Sequence, residues 1–243
     1  MSTFFFLLPF LVVYTVFVVY AERKVSAFMQ SRLGPMEVGF YGLLQTVADL
    51  LKLLQKEDIR PTGATPVLFK LAPVIIFIAI FGGFSVLPLH AAWAGAPLSS
   101  GIFFLLAIVS LDVVGILIAG WSSNNKYSTL GAFRAAAQII SYEIPLGLCV
   151  VAVVMHAGTL DLQVISEQQG ILSQKPASVF GLNLTAMGGM VAWNVVQMPW
   201  LFFVWVIFFI ASLAECNRAP FDLPEGESEL VGGYHTEYTG FRF

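Results

Sequence analysis

The feature that most constrains this chain is a series of apolar runs, each long enough to cross a bilayer as a helix. A transmembrane helix needs roughly 20 predominantly apolar residues. Five stretches qualify, at residues 4–20, 66–89, 101–121, 134–156 and 190–213. The sequence therefore predicts an all-α integral membrane fold, a multi-span transmembrane helix bundle in a single membrane domain over residues 1–243.

The composition agrees with a membrane protein and excludes several function classes. Hydrophobic residues make up 58% of the chain and charged residues only 11%, whereas soluble domains carry roughly 25% charged residues. The net charge of −3 and the lack of a basic cluster give no indication of nucleic acid binding. The sequence contains no Gly-x-Gly-x-x-Gly motif, cysteine cluster or histidine pair for a dinucleotide, an iron–sulfur cluster or a haem. The N-terminal run is too long for a signal-peptide core, so we interpret it as a span.

The lysines and arginines predict how the spans are oriented. All 12 of them except Lys175 lie in, or flank, the segments that follow the first, third and fifth candidate spans. Inner loops of membrane proteins are enriched in these residues. We therefore expect the N-terminus to face outside and residues 214–243 to face inside. The outer segment 158–182 is expected to be weakly structured, because Gln168, Gln169 and Gly170 interrupt any periodic pattern.

An amphipathic helix is predicted at about residues 41–56, inside the first inner loop. Its apolar residues recur at helical spacing, and it is too short to span a bilayer. We expect it to lie in the membrane interface with its apolar face in the acyl boundary. Two interpretations stay open: a passive anchor, or a wall past which an apolar substrate enters sideways. The apolar face consists of Leu43, Leu44, Val47, Leu50, Leu51 and Leu54.

Two acids lie inside apolar spans, Asp112 in the third and Glu143 in the fourth. A carboxyl in a membrane is costly unless it faces the bundle interior or water. Because Pro145 has no N–H, the Ser141 carbonyl loses its helical partner beside Glu143. We expect a close-packed, partly wet pocket there, on the face shared with Ala136 and Gly147. Each acid is interpreted either as a structural hydrogen-bonding group or as a proton carrier.

The last segment, 214–243, is a dense acidic loop that follows directly on the fifth apolar run. It holds six acids against two bases. Asp222 is placed to cap a short helix, with Glu225 at the capping-box position. One interpretation is that Glu225, Glu227 and Glu229 only favour a helix N-terminus and a wet face. The other gives them a functional role.

Three segments together resemble one known family over the whole chain. They read ERKVSAFMQSRLGP at 22–35, GWSSNNKY at 120–127 followed by LGAFRAAAQIISYE at 130–143, and ECNRAPFDLPEGESELV at 215–231. These segments are similar to those of the quinone-binding membrane subunit of respiratory complex I, the NADH–quinone oxidoreductase of bacteria and mitochondria. Segment 48–57 also resembles the interfacial helix of that family. The family's subunit has more spans than the five found here, so we expect the chain to be a C-terminally shortened form.

The resemblance implies roles for individual residues. Asp112 matches no motif of the family, and its role is left open. The resemblance implies no catalytic residue and no metal ligand in this chain. Residues that match positions near the quinone chamber are Glu22, Arg23, Arg32, Asp49, Arg134 and Phe221. Acids that match a proton path toward the antiporter-like subunits are Glu143, Glu215, Glu225, Glu227 and Glu229.

The resemblance further implies a subunit of an electron-transport enzyme, a proton-translocating NADH:quinone oxidoreductase of the respiratory chain. Quinone would be its substrate, with nothing bound covalently. FMN and iron–sulfur clusters are expected only in partner subunits, namely the peripheral-arm iron–sulfur and quinone-site subunits. Antiporter-like membrane subunits are further expected partners, and the bacterial inner (plasma) membrane is the expected location. The alternatives are the related subunit of an energy-converting hydrogenase, an independent ion transporter or a structural scaffold.

Overall fold

The computed structural model describes residues 2–88, 98–169, 178–179, 182–183, 193–218, 220–223 and 230–242. These residues are mostly helical, which confirms the predicted all-α membrane fold class. By length and composition, three of the described helices can cross a membrane, at Pro66–Val86, Gly101–Ser122 and Lys126–Ala157. A shorter apolar helix runs over Pro199–Glu215. The chain divides into two compact units, which are described separately below.

The first unit comprises Met1–Pro61 and Tyr238–Phe243. Its helices are α1 (Ser2–Met29), a 3₁₀ turn at Phe40–Gly42, α2 (Gln45–Gln55) and a 3₁₀ turn at Gly240–Arg242. The Ile59 N–H donates to Thr239 Oγ1 over 2.9 Å, which attaches the last turn to the segment after α2. Three of the four leucines of α2 are exposed, with Leu51 at 55% and Leu54 at 63%. An exposed apolar face is what the predicted interfacial position requires.

The second unit comprises Thr62–Glu237. Helix α5 packs against α3 and α6, α9 packs on α6, and the 3₁₀ helix Gly233–His235 packs on both α5 and α6. Strand β1 (Ser178–Val179) pairs antiparallel with β2 (Leu182–Asn183). The helices are α3 (Pro66–Val86), α4 (Gly101–Val109), α5 (Leu111–Ser122), α6 (Lys126–Ala157), α7 (Leu162–Gln168), α8 (Asn194–Gln197) and α9 (Pro199–Glu215).

Small residues let α5 and α6 approach closely, as is common where helices meet in lipid. A Cβ added at Gly120 would lie 2.2 Å from the Ala132 Cβ, so no larger residue fits there. Gly115 approaches α3 in the same way, where an added Cβ would lie 2.5 Å from Ile76 Cγ1. The buried core of this contact consists of Val113, Ile116, Ala132, Ala135, Ala136 and Ile139.

Helix α6 begins earlier than the predicted span 134–156, at Lys126. Asn125 explains the early start, because its side chain caps the helix by accepting from the Tyr127 N–H over 3.0 Å. The third span is divided at Ser110 into α4 and α5. The Ser110 hydroxyl bonds back to the Leu106 carbonyl at 2.9 Å, a contact that commonly bends helices.

The fifth apolar run does not form one helix. Met190, the first residue of its predicted range, lies outside the described residues. Helix α8 ends at Gln197, and Met198 adopts an extended conformation with φ −122° and ψ 110°. A residue before proline avoids the helical region, so α9 starts afresh with Pro199 in its first turn.

The segment 158–182 was expected to be weakly structured, and that expectation was wrong for its first part. Helix α7 forms there because Asp161 caps it by accepting from the Gln163 N–H over 2.9 Å.

Candidate functional site

Glu143 on α6 is partly buried and meets Ser110, the residue at which α4 and α5 separate. The Ser110 hydroxyl donates a hydrogen bond to Glu143 Oε1. The same hydroxyl lies 2.9 Å from the Leu106 carbonyl. A serine hydroxyl has one hydrogen and can also accept. It can therefore donate to an ionised Glu143, or accept from a protonated Glu143 while donating to Leu106. The pair accommodates both protonation states of the carboxyl.

Two further acids lie near Glu143 on neighbouring helices. Glu215 ends α9, within electrostatic reach of Glu143 and Asp112. Asp112 lies in the first turn of α5. Its Oδ1 is buried and has no hydrogen-bond partner among the residues that the structure describes. Sequence reasoning singled out all three acids but grouped only Glu143 with Glu215. The structure brings Asp112 into the same group, which we call the acid cluster: Asp112, Glu143 and Glu215.

Gln138 connects α6 with the end of α9 and the acidic loop, and sequence reasoning missed it. Its Nε2 lies 2.7 Å from the Ala214 carbonyl, 3.0 Å from Asn217 Oδ1 and 2.9 Å from the Phe221 carbonyl. Gln138 is only 7% exposed. It connects α6 to the end of α9 and to the start of the acidic loop. A glutamine between the buried Ala135 and Ile139 was the available signal, because a buried amide needs partners.

Phe221 and Arg134 are the predicted chamber residues in this unit. The Phe221 ring packs edge-on against Tyr142 of α6, with centroids 5.3 Å apart and planes at 65°. This contact fixes Phe221 close to the residue that precedes Glu143. Arg134 is exposed on α6. Glu143 on the same helix is partly buried, and its nine-residue separation from Arg134 places the two on different sides of α6.

The far end of the acidic loop is attached to the first turns of α6. Asn125 Nδ2 donates to Glu237 Oε1 over 2.6 Å, and the Ser128 hydroxyl donates to the Tyr234 carbonyl over 3.2 Å. A Cβ added at Gly131 would lie 2.7 Å from the Gly233 Cα, so the two backbones are in direct contact. His235 lies in this contact, and burial lowers the pKa of its imidazole.

The three central acids of the loop, Glu225, Glu227 and Glu229, lie outside the described residues. Their predicted role therefore stays a prediction. The expected close-packed face beside Glu143 is present at Ala136, which is 4% exposed. At Gly147, however, an added Cβ would meet no heavy atom within 4 Å in the part of the chain that the structure describes.

In the first unit, Arg23 of α1 and Asp49 of α2 form a hydrogen-bonded ion pair. Gln45 Nε2 also donates to Asp49, over 3.0 Å. The Arg23 hydrogen bond is the main cause that lowers the pKa of Asp49, and Gln45 adds to it. Glu22 and Arg32 are exposed, Glu22 beside Arg23 and Arg32 just after the end of α1. The structure thus joins two of the four predicted chamber residues in this unit.

Metal binding has no support in the described ranges, where no group of three or more His, Cys, Asp and Glu side chains could hold an ion. What the second unit presents is a helical membrane bundle with a carboxyl cluster between its helices.

The comparisons with known proteins identify the family. The NADH dehydrogenase family model matches residues 1–243, and the chain belongs to that family, which confirms the resemblance of its motifs. It is 62% identical to an H subunit of NADH-quinone oxidoreductase from Cytophaga hutchinsonii, over 98% of this chain and 68% of that protein. It is 54% identical to the H subunit of NADH-quinone oxidoreductase from Chlorobaculum tepidum, over 93% of this chain and 58% of that protein.

The H subunit of NADH-quinone oxidoreductase from Brevibacillus brevis is 45% identical, over 95% of this chain and 62% of its own length. The chain thus spans between 58% and 68% of the length of these curated relatives.

Proposed function

We propose that this chain is the membrane subunit of a proton-pumping NADH–quinone oxidoreductase, where it forms part of the quinone chamber and couples quinone reduction to proton translocation. Its membership of the family supports the class of complex. The observation that carries the coupling role is the contact of Glu143 with Ser110, beside Asp112 and Glu215. Carboxyls that interact on separate helices titrate as a linked set. A change of charge on one of them therefore changes the proton affinity of the others.

The serine gives Glu143 a partner in either protonation state. When Glu143 is ionised, Ser110 donates to it. When Glu143 is protonated, it donates to Ser110 Oγ, and the serine hydrogen turns to the Leu106 carbonyl. A group that must take up and release a proton in a membrane needs such an arrangement, because an unsatisfied charge there is costly. A purely structural acid would need only one of the two arrangements.

The chamber residues have chemistry suited to a quinone. Arg23 is held by Asp49 and presents a fixed guanidinium, which stabilises negative charge on a reduced headgroup. Phe221 and Tyr142 present apolar rings for packing against a flat headgroup. In this proposal the chamber residues are Glu22, Arg23, Arg32, Asp49, Arg134 and Phe221. Glu225, Glu227 and Glu229 would lead protons from the chamber toward Glu215 and Glu143.

The reduction itself depends on partners. Quinone takes electrons from iron–sulfur clusters and FMN in peripheral-arm subunits, and protons complete its conversion to quinol. Antiporter-like membrane subunits would receive the charge change that the acid cluster transmits. The distribution of lysine and arginine supports a bacterial inner-membrane protein with its N-terminus outside and its acidic loop inside.

The test is Glu143→Gln in the assembled complex, studied in sealed membrane vesicles. The amide keeps the size and hydrogen bonding of the side chain but does not titrate. We expect the complex to assemble and to reduce a soluble artificial electron acceptor normally, while proton pumping with quinone is lost. Glu167→Gln is the matched control, because Glu167 lies exposed on α7, far along the chain from the acid cluster.

If the complex with Glu143→Gln pumps protons normally, Glu143 has only a structural role, and the proposed coupling path is wrong. Co-purification with iron–sulfur subunits separates a complex subunit from an independent transporter. Inhibition by a quinone analogue separates a quinone reductase from an energy-converting hydrogenase.

A further inference from the structure

A cavity of about 270 Å³ lies between α4, α6 and α9, at the end of the second unit that α7 and α8 cover. Its wall is almost wholly apolar, and includes Leu105 of α4, Val153 of α6 and Leu201 of α9. The α6 residues that line the cavity lie between Glu143 and the C-terminal end of the helix. The cavity therefore lies toward the end of the spans that is opposite to the acid cluster. None of the residues assigned to the quinone chamber or proton path lines it.

The amide side chains of the wall are Gln169 and Asn194, both from the segment that connects α6 with α9, and its other polar groups are the Trp205 indole N–H and the Cys149 thiol. Gln169 has partners for both of its polar atoms. Its Oε1 accepts from the Asn194 N–H over 3.4 Å, and its Nε2 donates to the Ile165 carbonyl over 3.5 Å. Asn194 is only 8% exposed, and its Nδ2 has no hydrogen-bond partner in the described part of the chain. The cavity therefore offers one buried, unused donor.

The depth of the cavity matches one leaflet of a bilayer. Cys149, the deepest residue of α6 in the wall, lies about 12 Å from the end of that helix at Ala157, at ~1.5 Å per residue. Phe208 lies about 14 Å from the start of α9 at Pro199 by the same rise. Half of the hydrocarbon core is about 15 Å thick. The cavity thus runs from the interface, where Asn194 lies, to near the middle of the membrane.

Aromatic residues indicate where the membrane interface lies and where the cavity opens to the lipid. Trp193 and Trp200 flank the Asn194 level and are 47% and 46% exposed, as is typical of aromatic residues at a membrane surface. Trp205 and Phe208 line the cavity and are also exposed, at 48% and 38%. The same side chains therefore contact the cavity and the surrounding lipid, and the cavity is reached from the acyl region.

We propose that this cavity binds one acyl chain of a membrane glycerophospholipid, whose ester carbonyl accepts a hydrogen bond from Asn194 Nδ2. Water fits poorly, because a stable internal water needs two to four polar partners. A quinone headgroup fits poorly too, since it carries acceptors at both ends and the wall offers a single unpaired amide donor among the described residues. The site is independent of the proposed redox function, and its failure would leave that proposal untouched.

The test uses the full chain purified with its accompanying subunits and placed in nanodiscs with a phosphatidylethanolamine that carries a diazirine in its acyl chain. After irradiation, adducts are mapped by proteolysis and mass spectrometry. We expect adducts on Val153 and Val204, inside the cavity. Val153→Trp fills the cavity and should abolish the Val204 adduct. Leu148→Trp is the matched control on α6, because Leu148 is 66% exposed and does not line the cavity.

Asn194→Leu tests the hydrogen bond. At limiting lipid, it should lower the Val204 adduct about fivefold, the ratio that corresponds to a net hydrogen bond of about 1 kcal/mol. Adducts that form only on exposed residues such as Leu148, or a Val204 adduct that survives Val153→Trp, would overturn the proposal.

Cys149 gives a second measurement that needs no cavity variant. It is 6% exposed and lines the cavity, whereas Cys216 is exposed and is replaced by serine for this experiment. After removal of phospholipid in detergent, a membrane-permeant maleimide should modify Cys149. Added phosphatidylethanolamine should protect it, and a short-chain quinone at the same concentration should not. Protection by the quinone alone would assign the cavity to a different ligand, and protection by neither would leave no lipid site.

Discussion

At one end of the α6–α9 pair, the Nε2 of Gln138 meets three acceptors, whereas at the other end the Nδ2 of Asn194 has no partner among the described residues. The Oε1 of Gln138 is also without a partner among these residues, so the contrast concerns the two donor groups. Both side chains are at least nine-tenths buried. The two amides differ in the partner that each N–H group can bind. A buried amide that is bonded to its own chain fixes a junction, and one left open within an apolar wall is available to a molecule from outside.

The two ends also differ in how tightly their backbones pack. Toward the N-terminal end of α6, Gly131 touches the backbone of Gly233. Further along the same helix, Gly147 has open space where its side chain would be, within the described residues. The end near Gly131 is therefore set by contacts between backbones, whereas the α6 backbone has open space beside it at Gly147 within the described residues.

The largest expected effect comes from Gly131→Ala. The new Cβ would lie 2.7 Å from Gly233 Cα and 2.9 Å from the Tyr234 nitrogen, and backbone cannot rotate away as a side chain can. We expect the free energy of unfolding to fall by about 3 kcal/mol, the upper part of the range for overpacking. Gly147→Ala on the same helix should raise it by about 0.5 kcal/mol, because alanine is the better helix former. Denaturant titration in mixed micelles measures both, and equal effects would remove the packing difference.

The next effect compares the two amides directly, with the same substitution at each. Gln138→Leu removes the amide donor to the Phe221 carbonyl and one of the donors to the Ala214 carbonyl, which keeps the Asn217 N–H. It should cost about 2 kcal/mol, within the range for an unsatisfied buried group. Asn194→Leu should cost nothing, or stabilise the protein, when phospholipid has been removed, since it deletes a donor that the chain does not use. A large loss from Asn194→Leu under those conditions would mean that its Nδ2 bonds to the protein.

The smallest effect concerns the pH dependence of stability, through His235. Burial lowers the pKa of His235 in the folded state, so the unfolded chain binds more protons as the pH falls below the ordinary histidine pKa of about 6.5. Stability should therefore decrease from pH 7.5 toward the lower folded pKa and then level off. His235→Gln should flatten that part of the curve. An unchanged slope in the variant would place the responsible group elsewhere.

The sequence predicts the fold class because apolar run length is a local property that survives folding. The start of α3 at Pro66 follows from proline in the first turn, which composition and spacing reveal. The early start of α6 and the presence of α7 were missed, since both depend on single capping side chains, Asn125 and Asp161. The bend at Ser110 was missed for a similar reason, because one hydroxyl creates it.

The candidate site was predictable only in part. Glu143 and Glu215 were found because acids in or beside apolar runs are conspicuous. The role of Asp112 depended on knowing which helices meet, and the partners of Gln138 are remote from it along the chain. No periodicity in the sequence encodes such a distance. Arg23 and Asp49 were predicted separately for one chamber, and the ion pair between them is a property of how α1 and α2 meet.

The contact of Gln138 has a further consequence. Its Nε2 carries two hydrogens, yet three oxygens lie between 2.7 and 3.0 Å from it. The junction is therefore geometrically frustrated, because its demands cannot all be met at the same moment. A rotation of the amide would direct its two hydrogens to a different pair of these oxygens. The start of the acidic loop can exchange one bond for another while α6 stays attached to it throughout.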